Sequence, residues 1–222
     1  MNGNDRTPGH ALLVGSGRSA VAVLDYDLGS TLLAVINNAY RLRPDWNVAF
    51  VPGDFHGAKP VPGRGQVVIS HEGPLGYARA CETLVGSIEE AGMTMLFGSA
   101  YWLLWMARPL AISSIGFLGC DLDYEPDEQG RTHFYGVGRD LQDRGTPDPV
   151  RMLEATSHDD YSTTLARLLD RLQGHADEFG VALVNHSENP RSRLPFPYRS
   201  FGPTGAPDAD PGPLAGGRRT GS

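Results

Sequence analysis

The sequence is constrained most by a rhythm of short apolar runs: Ala11–Val14, Leu32–Asn37, Val48–Val51, Val67–Ser70, Ile115–Leu118 and Val181–Val184. Runs this short are the length of buried strands rather than helices. Segments of helical period fall between the later ones. Tyr77–Ala91 reads as a helix, and Thr94–Phe97 as a strand or the lead-in to the next helix. Ser99–Leu110 is apolar nearly all round, which predicts a buried helix with Tyr101, Trp102 and Trp105 in the core. Asp159–Phe179 carries Leu165, Leu168, Leu169, Leu172 and Ala176 at helical spacing, with Gly180 where a helix-ending residue belongs. Strands alternating with helices predict an α/β fold, a mostly parallel sheet with helices on both faces.

The 222 residues suit one domain with trimmings. Residues 1–9 are polar and read as a flexible N-terminus, and residues 10–201 as the folded unit. Residues 202–222, with six Gly and four Pro, read as a disordered tail that cannot bury enough surface to offset its ordering entropy. A net charge of −7 argues against a nucleic-acid partner. No apolar run approaches the ~20 residues of a membrane span. With Cys81 and Cys120 alone, a disulfide framework and a cysteine zinc site are both excluded, and a cytoplasmic setting is expected. So compact a chain is compatible with a homo-oligomer that completes the site. His10, His158 and His175 read as surface residues.

In parallel sheets ligands bind at the carboxyl ends of strands, near a reversal of strand order. The residues just past each run are therefore the candidates: Gly15-Ser16-Gly17-Arg18-Ser19, Asn37-Asn38, Asp54, Asp121-x-Asp123-Tyr124 and Asn185-His186-Ser187. The Gly15–Ser19 turn offers backbone N–H groups and two hydroxyls to an anion at a helix start, or is simply a strand-to-helix turn capped by Ser. It lacks the third glycine of a dinucleotide fingerprint and the Lys of a Walker loop. The Asn37 and Asn38 amides can meet a base or ribose, or satisfy their own turn. Asp121 and Asp123 match the short DxD element that holds a divalent cation, although a turn-holding Asp121 and a solvated Asp123 explain the same pattern. His133 lies in a polar segment near Tyr124 and Tyr135, and an unperturbed imidazole, at ~6.5, suits a general base. Arg151, Arg191 and Arg193 are available to an anionic substrate or are ordinary charged surface.

Taken in order, strand-Gly-x-Gly-x-Ser (15–19), Asn37 or Asn38, Pro44-Asp-Trp46, Asp54, Gly119-Cys-Asp-Leu-Asp-Tyr124, His133-Phe-Tyr135 and Asn185 through Pro195 resemble the bacterial sialyltransferase-like group, the CMP-sialic-acid-dependent enzymes of glycosyltransferase family 42. They are also similar to the related 6-hydroxymethylpterin diphosphokinases. The resemblance implies a single Rossmann-like domain. It further implies a glycosyltransferase that moves a sugar, of sialic-acid type, from a CMP-type nucleotide donor to a small-molecule or glycan acceptor hydroxyl. Gly15, Ser16, Gly17, Arg18 and Ser19 would lie beneath the phosphate and ribose, and Asn37, Asn38, Asp54 and Asp121 would complete the nucleotide site. Tyr124, with Tyr135 as a second candidate, would donate to the departing phosphate, and His133 would take the acceptor's proton. No metal is required. The group's usual Gly-Asn-Gly-Pro-Ser loop has Ser16 and Arg18 here in place of Asn and Pro. A Mg-dependent diphosphokinase or nucleotide hydrolase with the metal on Asp121 and Asp123 is the alternative, followed by a nucleotide-binding module without catalysis.

Overall fold

The computed structural model describes residues 9–53, 55, 58–123, 128–129, 131–134 and 160–201. Within them the chain forms strands β1 (His10–Val14), β2 (Leu32–Ile36), β3 (Val48–Phe50), β4 (Val67–Ile69), β5 (Ser114–Leu118) and β6 (Ala182–Asn185). Its α-helices are α1 (Tyr77–Val85), α2 (Met95–Trp105) and α3 (Tyr161–Phe179). The six strands make one parallel sheet in the order β4-β3-β2-β1-β5-β6. The chain steps outward from β1 to β4, then returns to β1's other side, so strand order reverses between β1 and β5.

A parallel sheet covered on both faces needs strands that are apolar throughout. All five residues of β1 and of β2 are buried, which is why these runs are unbroken in the sequence. Side chains alternate between faces. Leu13, Ala34, Ile36, Phe50 and Phe117 point to one side, where α1, α2 and α3 pack with Phe97, Tyr101, Leu103 and Leu172. Leu12, Val14, Leu33, Val35 and Leu118 point to the other, against Val23, Trp46 and Phe201.

The predicted helices stand with shifted ends. Asp160 caps α3, its carboxylate accepting from the Thr163 N–H at 3.0 Å and the Thr163 hydroxyl at 2.9 Å, and Gly180 closes it. α1 stops at Val85, ahead of Gly86, rather than reaching Ala91. α2 begins at Met95, not Ser99, because Thr94 caps it; Trp102 and Tyr101 are core as expected, and the Trp102 indole donates to the Leu75 carbonyl at 2.8 Å. The second face also carries helices, of the 3-10 kind rather than the α kind. Among the described residues it is covered by two 3-10 helices, Arg18–Asp25 and Asn37–Arg41, and by Phe201. The β-branched Val21 and Val23 disfavour a full α-helix in so short a connection.

Cys81 and Cys120 are buried free thiols. Burial pushes both up, Cys81 to about 12, so neither forms the reactive thiolate at neutral pH. No helix among the described residues is long and apolar enough to cross a membrane.

Candidate functional site

The reversal of strand order brings the exits of β1 and β5 side by side, and they are sewn together by backbone. The Gly15 N–H donates to the Leu118 carbonyl and the Gly17 N–H to the Gly119 carbonyl, each at 2.8 Å. A Cβ on Gly15 would lie 2.9 Å from Cys120 Sγ, and one on Gly17 2.7 Å from the Gly119 oxygen, so glycine is what lets the two exits touch. The Ser19 hydroxyl completes the seam, donating to Asp121 Oδ2 at 2.7 Å and accepting from the Gly119 N–H at 3.0 Å. Two amides expected to face an anion therefore serve the protein itself. Ser19 does not cap its helix, Arg18–Asp25, whose N-cap position is Gly17 and has no side-chain hydrogen bond.

Asp121 and Asp123 do not act as a pair. Leu122 between them takes a positive φ of 55°, which breaks the strand-like continuation that would aim both the same way. Asp121, 3% exposed, turns one oxygen to Ser19 and leaves Oδ1 buried with no hydrogen-bond partner. Asp123 Oδ2 receives Arg191 at 3.0 Å, Asn189 at 3.2 Å and Arg18 at 3.4 Å. With its side chain 5% exposed, three donors are what make that charge tolerable. The expected solvated Asp123 is thus a buried anchor. Arg18 and Arg191 of the predicted set meet on it, while Arg193 lies over the Tyr161 ring and reaches Ser162 Oγ at 3.4 Å. The Arg193 N–H donates to the Asp121 carbonyl at 2.9 Å, so the loop after β6 is fastened across the β5 exit.

His133 is brought to the same place by its backbone. It forms an isolated antiparallel bridge with Gly17, and the neighbouring Phe134 N–H donates to the Ser16 carbonyl at 3.1 Å while its ring packs on the second-face core. His133 Nδ1 lies 2.7 Å from Thr132 Oγ1. When Nδ1–H donates to that hydroxyl, Nε2 carries the lone pair. Asn37 and Asn38 open the 3-10 helix that leaves β2, the strand beside β1. Asn37 adopts φ 52°, a left-handed turn that Asn tolerates. Asn37 Oδ1, both ends of the Asn38 amide and Ser16 Oγ are buried without partners.

Among the described residues, five polar atoms at the exits of three adjacent strands thus find no hydrogen-bond partner: Ser16 Oγ, Asn37 Oδ1, Asn38 Oδ1 and Nδ2, and Asp121 Oδ1. Buried polar atoms are nearly always paired, so bonds to water or to another molecule can form at this cluster. Asp54, Tyr124, Tyr135 and Arg151 lie outside the described residues. The sequence reading missed Asn189; only its place in the loop after the last strand pointed to it. It also put His10 on the surface, whereas the ring is buried on the second face with His186, since His10 is the first residue of the central strand. Among the described residues no group of three or more His, Cys, Asp or Glu side chains is placed to hold a metal ion. No protein-family model, no curated protein and no solved structure matches this chain.

Proposed function

We propose that the chain is a nucleotide-dependent transferase that moves a sugar, of sialic-acid type, from a CMP-type donor to an acceptor hydroxyl. The observation that carries the reading is the set of buried, unpartnered polar atoms of Ser16, Asn37, Asn38 and Asp121 around the reversal of strand order. Asn37 and Asn38 carry amide donors and acceptors suited to a base edge. Asp121 Oδ1 is an acceptor suited to a ribose hydroxyl. His133, pinned to the β1 loop, takes the proton of the acceptor hydroxyl as its oxygen attacks the anomeric carbon and the nucleotide phosphate departs. Tyr124 and Tyr135 remain the candidates for donating to that phosphate, and Arg18 adds positive charge beside the loop.

The metal-dependent diphosphokinase reading fits the geometry less well. It needs both carboxylates turned to one cation, and Asp123 Oδ2 already receives three protein donors.

The test is thermal unfolding with CMP, CDP, CTP, UMP, UDP, ATP and GTP, with and without Mg²⁺, followed by turnover with the stabilising nucleotide's sugar conjugates. CMP at a hundred times its Kd adds about 2.7 kcal/mol of stability without metal. His133→Ala then lowers turnover about 10²–10⁴-fold while CMP still stabilises the variant. Stabilisation only by a triphosphate with Mg²⁺, or full turnover in His133→Ala, overturns the reading.

A further inference from the structure

His10 and His186 lie on the second face of the sheet, side by side. Gly116 of β5 makes room for them: a Cβ there would lie 2.5 Å from His186 Nε2 and 3.1 Å from His10 Cε1. The rings meet edge to face with centroids 5.6 Å apart, and the Phe201 ring packs on both, at 5.8 Å from His10 and 4.9 Å from His186. His186 Nδ1 lies 2.7 Å from the Arg199 carbonyl oxygen. A carbonyl only accepts, so Nδ1 holds the proton and Nε2 is a bare acceptor. His10 Nδ1 lies 2.7 Å from Ser114 Oγ. Both Nε2 atoms are buried with no partner among the described residues.

The residues that cover this pair belong to one strap. After β6 the chain loops round and passes Asn185 in the parallel sense, where the Asn185 N–H donates to the Pro197 carbonyl at 3.0 Å and the Arg199 N–H to the Asn185 carbonyl at 2.9 Å. Leu194 and Phe196 enter the helix-side core, and Phe201 enters the other, stacked on Tyr26 at 4.5 Å. The strap begins with the loop that carries Asn189 and Arg191 to Asp123.

We propose that His10 and His186 form a proton-operated latch, which holds the strap 194–201 to the sheet while both rings are neutral and releases it when they are protonated, loosening the loop that grips Asp123. The proton comes from solvent, and in the charged form of either ring Nε2 carries an N–H for which the closed strap provides no acceptor. A charged ring would sit against Phe201 and near the Arg199 guanidinium. The other titratable groups around the pair are Tyr26, stacked on Phe201, and Glu188, Tyr198 and Asp25, which act on Tyr26. Burial first, then the positive charge of the partner ring and of Arg199, lowers His10 to about 4; burial likewise lowers His186. In the open strap both rings regain the ordinary value near ~6.5. The latch does not depend on the reaction assigned to the site.

The test is amide hydrogen exchange on the full chain at pH 7.5 and 5.5, corrected for intrinsic rate. Opening of the strap amides, Arg199 among them, rises about 10-fold if one ring titrates in the open form and about 100-fold if both do. The β1 and β5 amides stay protected. His186→Asn places an amide where Nδ1 donates to Arg199 and removes one titration, which cuts a 100-fold rise to about 10-fold. Should that variant fail to fold, the ring-proton NMR titrations of the unaltered chain decide, with both rings expected below the ordinary histidine range. Unchanged strap exchange, equal loss of protection in β1 and β5, or rings that titrate normally under a protected strap overturns the latch.

Discussion

The two faces of the sheet are built differently. The helix side is closed by α1, α2 and α3 over a large apolar cluster in which Phe97, Leu103, Leu104 and Leu172 are fully buried. The other side is closed by two 3-10 helices, Phe134 and the end of the strap, and its lining includes two histidines with unpartnered nitrogens. The site residues follow the second face. Arg18 and Ser19 start one 3-10 helix, Asn37 and Asn38 start the other, and His133 precedes Phe134. Long helices pack a continuous stripe and resist local opening. Short segments held by one or two hydrogen bonds open more cheaply, and elements that bind or move are drawn from that end of the stability range.

Substitutions can break this contrast. Phe97→Ala, in the helix-side core, is expected to cost about 3–5 kcal/mol in urea unfolding, with no dependence on pH between 5 and 8. A much smaller loss would mean that the helix side is not the stable one. Gly116→Ala on the second face pushes a methyl into the two imidazoles and is expected to cost about 1–3 kcal/mol. Stability should also vary with pH through this face. His10 is lowered when folded, so the folded chain binds fewer protons than the unfolded chain between about 6.5 and 4. Its contribution is complete above about 6.5 and is lost as the pH falls through 4. Between pH 7.5 and 5 that amounts to about 2 kcal/mol, read from urea midpoints, and His10→Asn should remove it. The smallest effect sharpens the helix side: Asp160→Ala, which deletes the α3 cap, is expected to cost about 1 kcal/mol.

What the sequence made legible follows the same division. The strands were readable because burial on both faces forces unbroken apolar runs, as in Leu32–Ile36. The α3 stripe from Leu165 to Ala176 was readable because one face repeats every 3.6 residues. The 3-10 covering had no such period. His10 lay at the edge of an apolar run, and nothing local told that it begins the central strand. At the site, the polar residues after the strands were found by position alone. The bonds from Asn189, Arg191 and Arg18 to Asp123 join residues far apart in the chain, so no local spacing announces them. The glycines of the Gly15–Ser19 turn suggested an anion cradle, whereas Gly15 and Gly17 donate to the exit of β5.

The strap has a consequence for how these molecules behave in a crowd. Among the described residues β4 and β6 are the outer strands, and an outer strand offers unpaired amides and carbonyls to any other extended chain. β4 is blunted by being only three residues long. β6 is guarded by Pro197–Arg199, which takes up both the amide and the carbonyl of Asn185. Residues that close one side of the sheet thus also occupy part of its outer edge, so the guard on that edge and the hold on Asp123 share one short piece of chain.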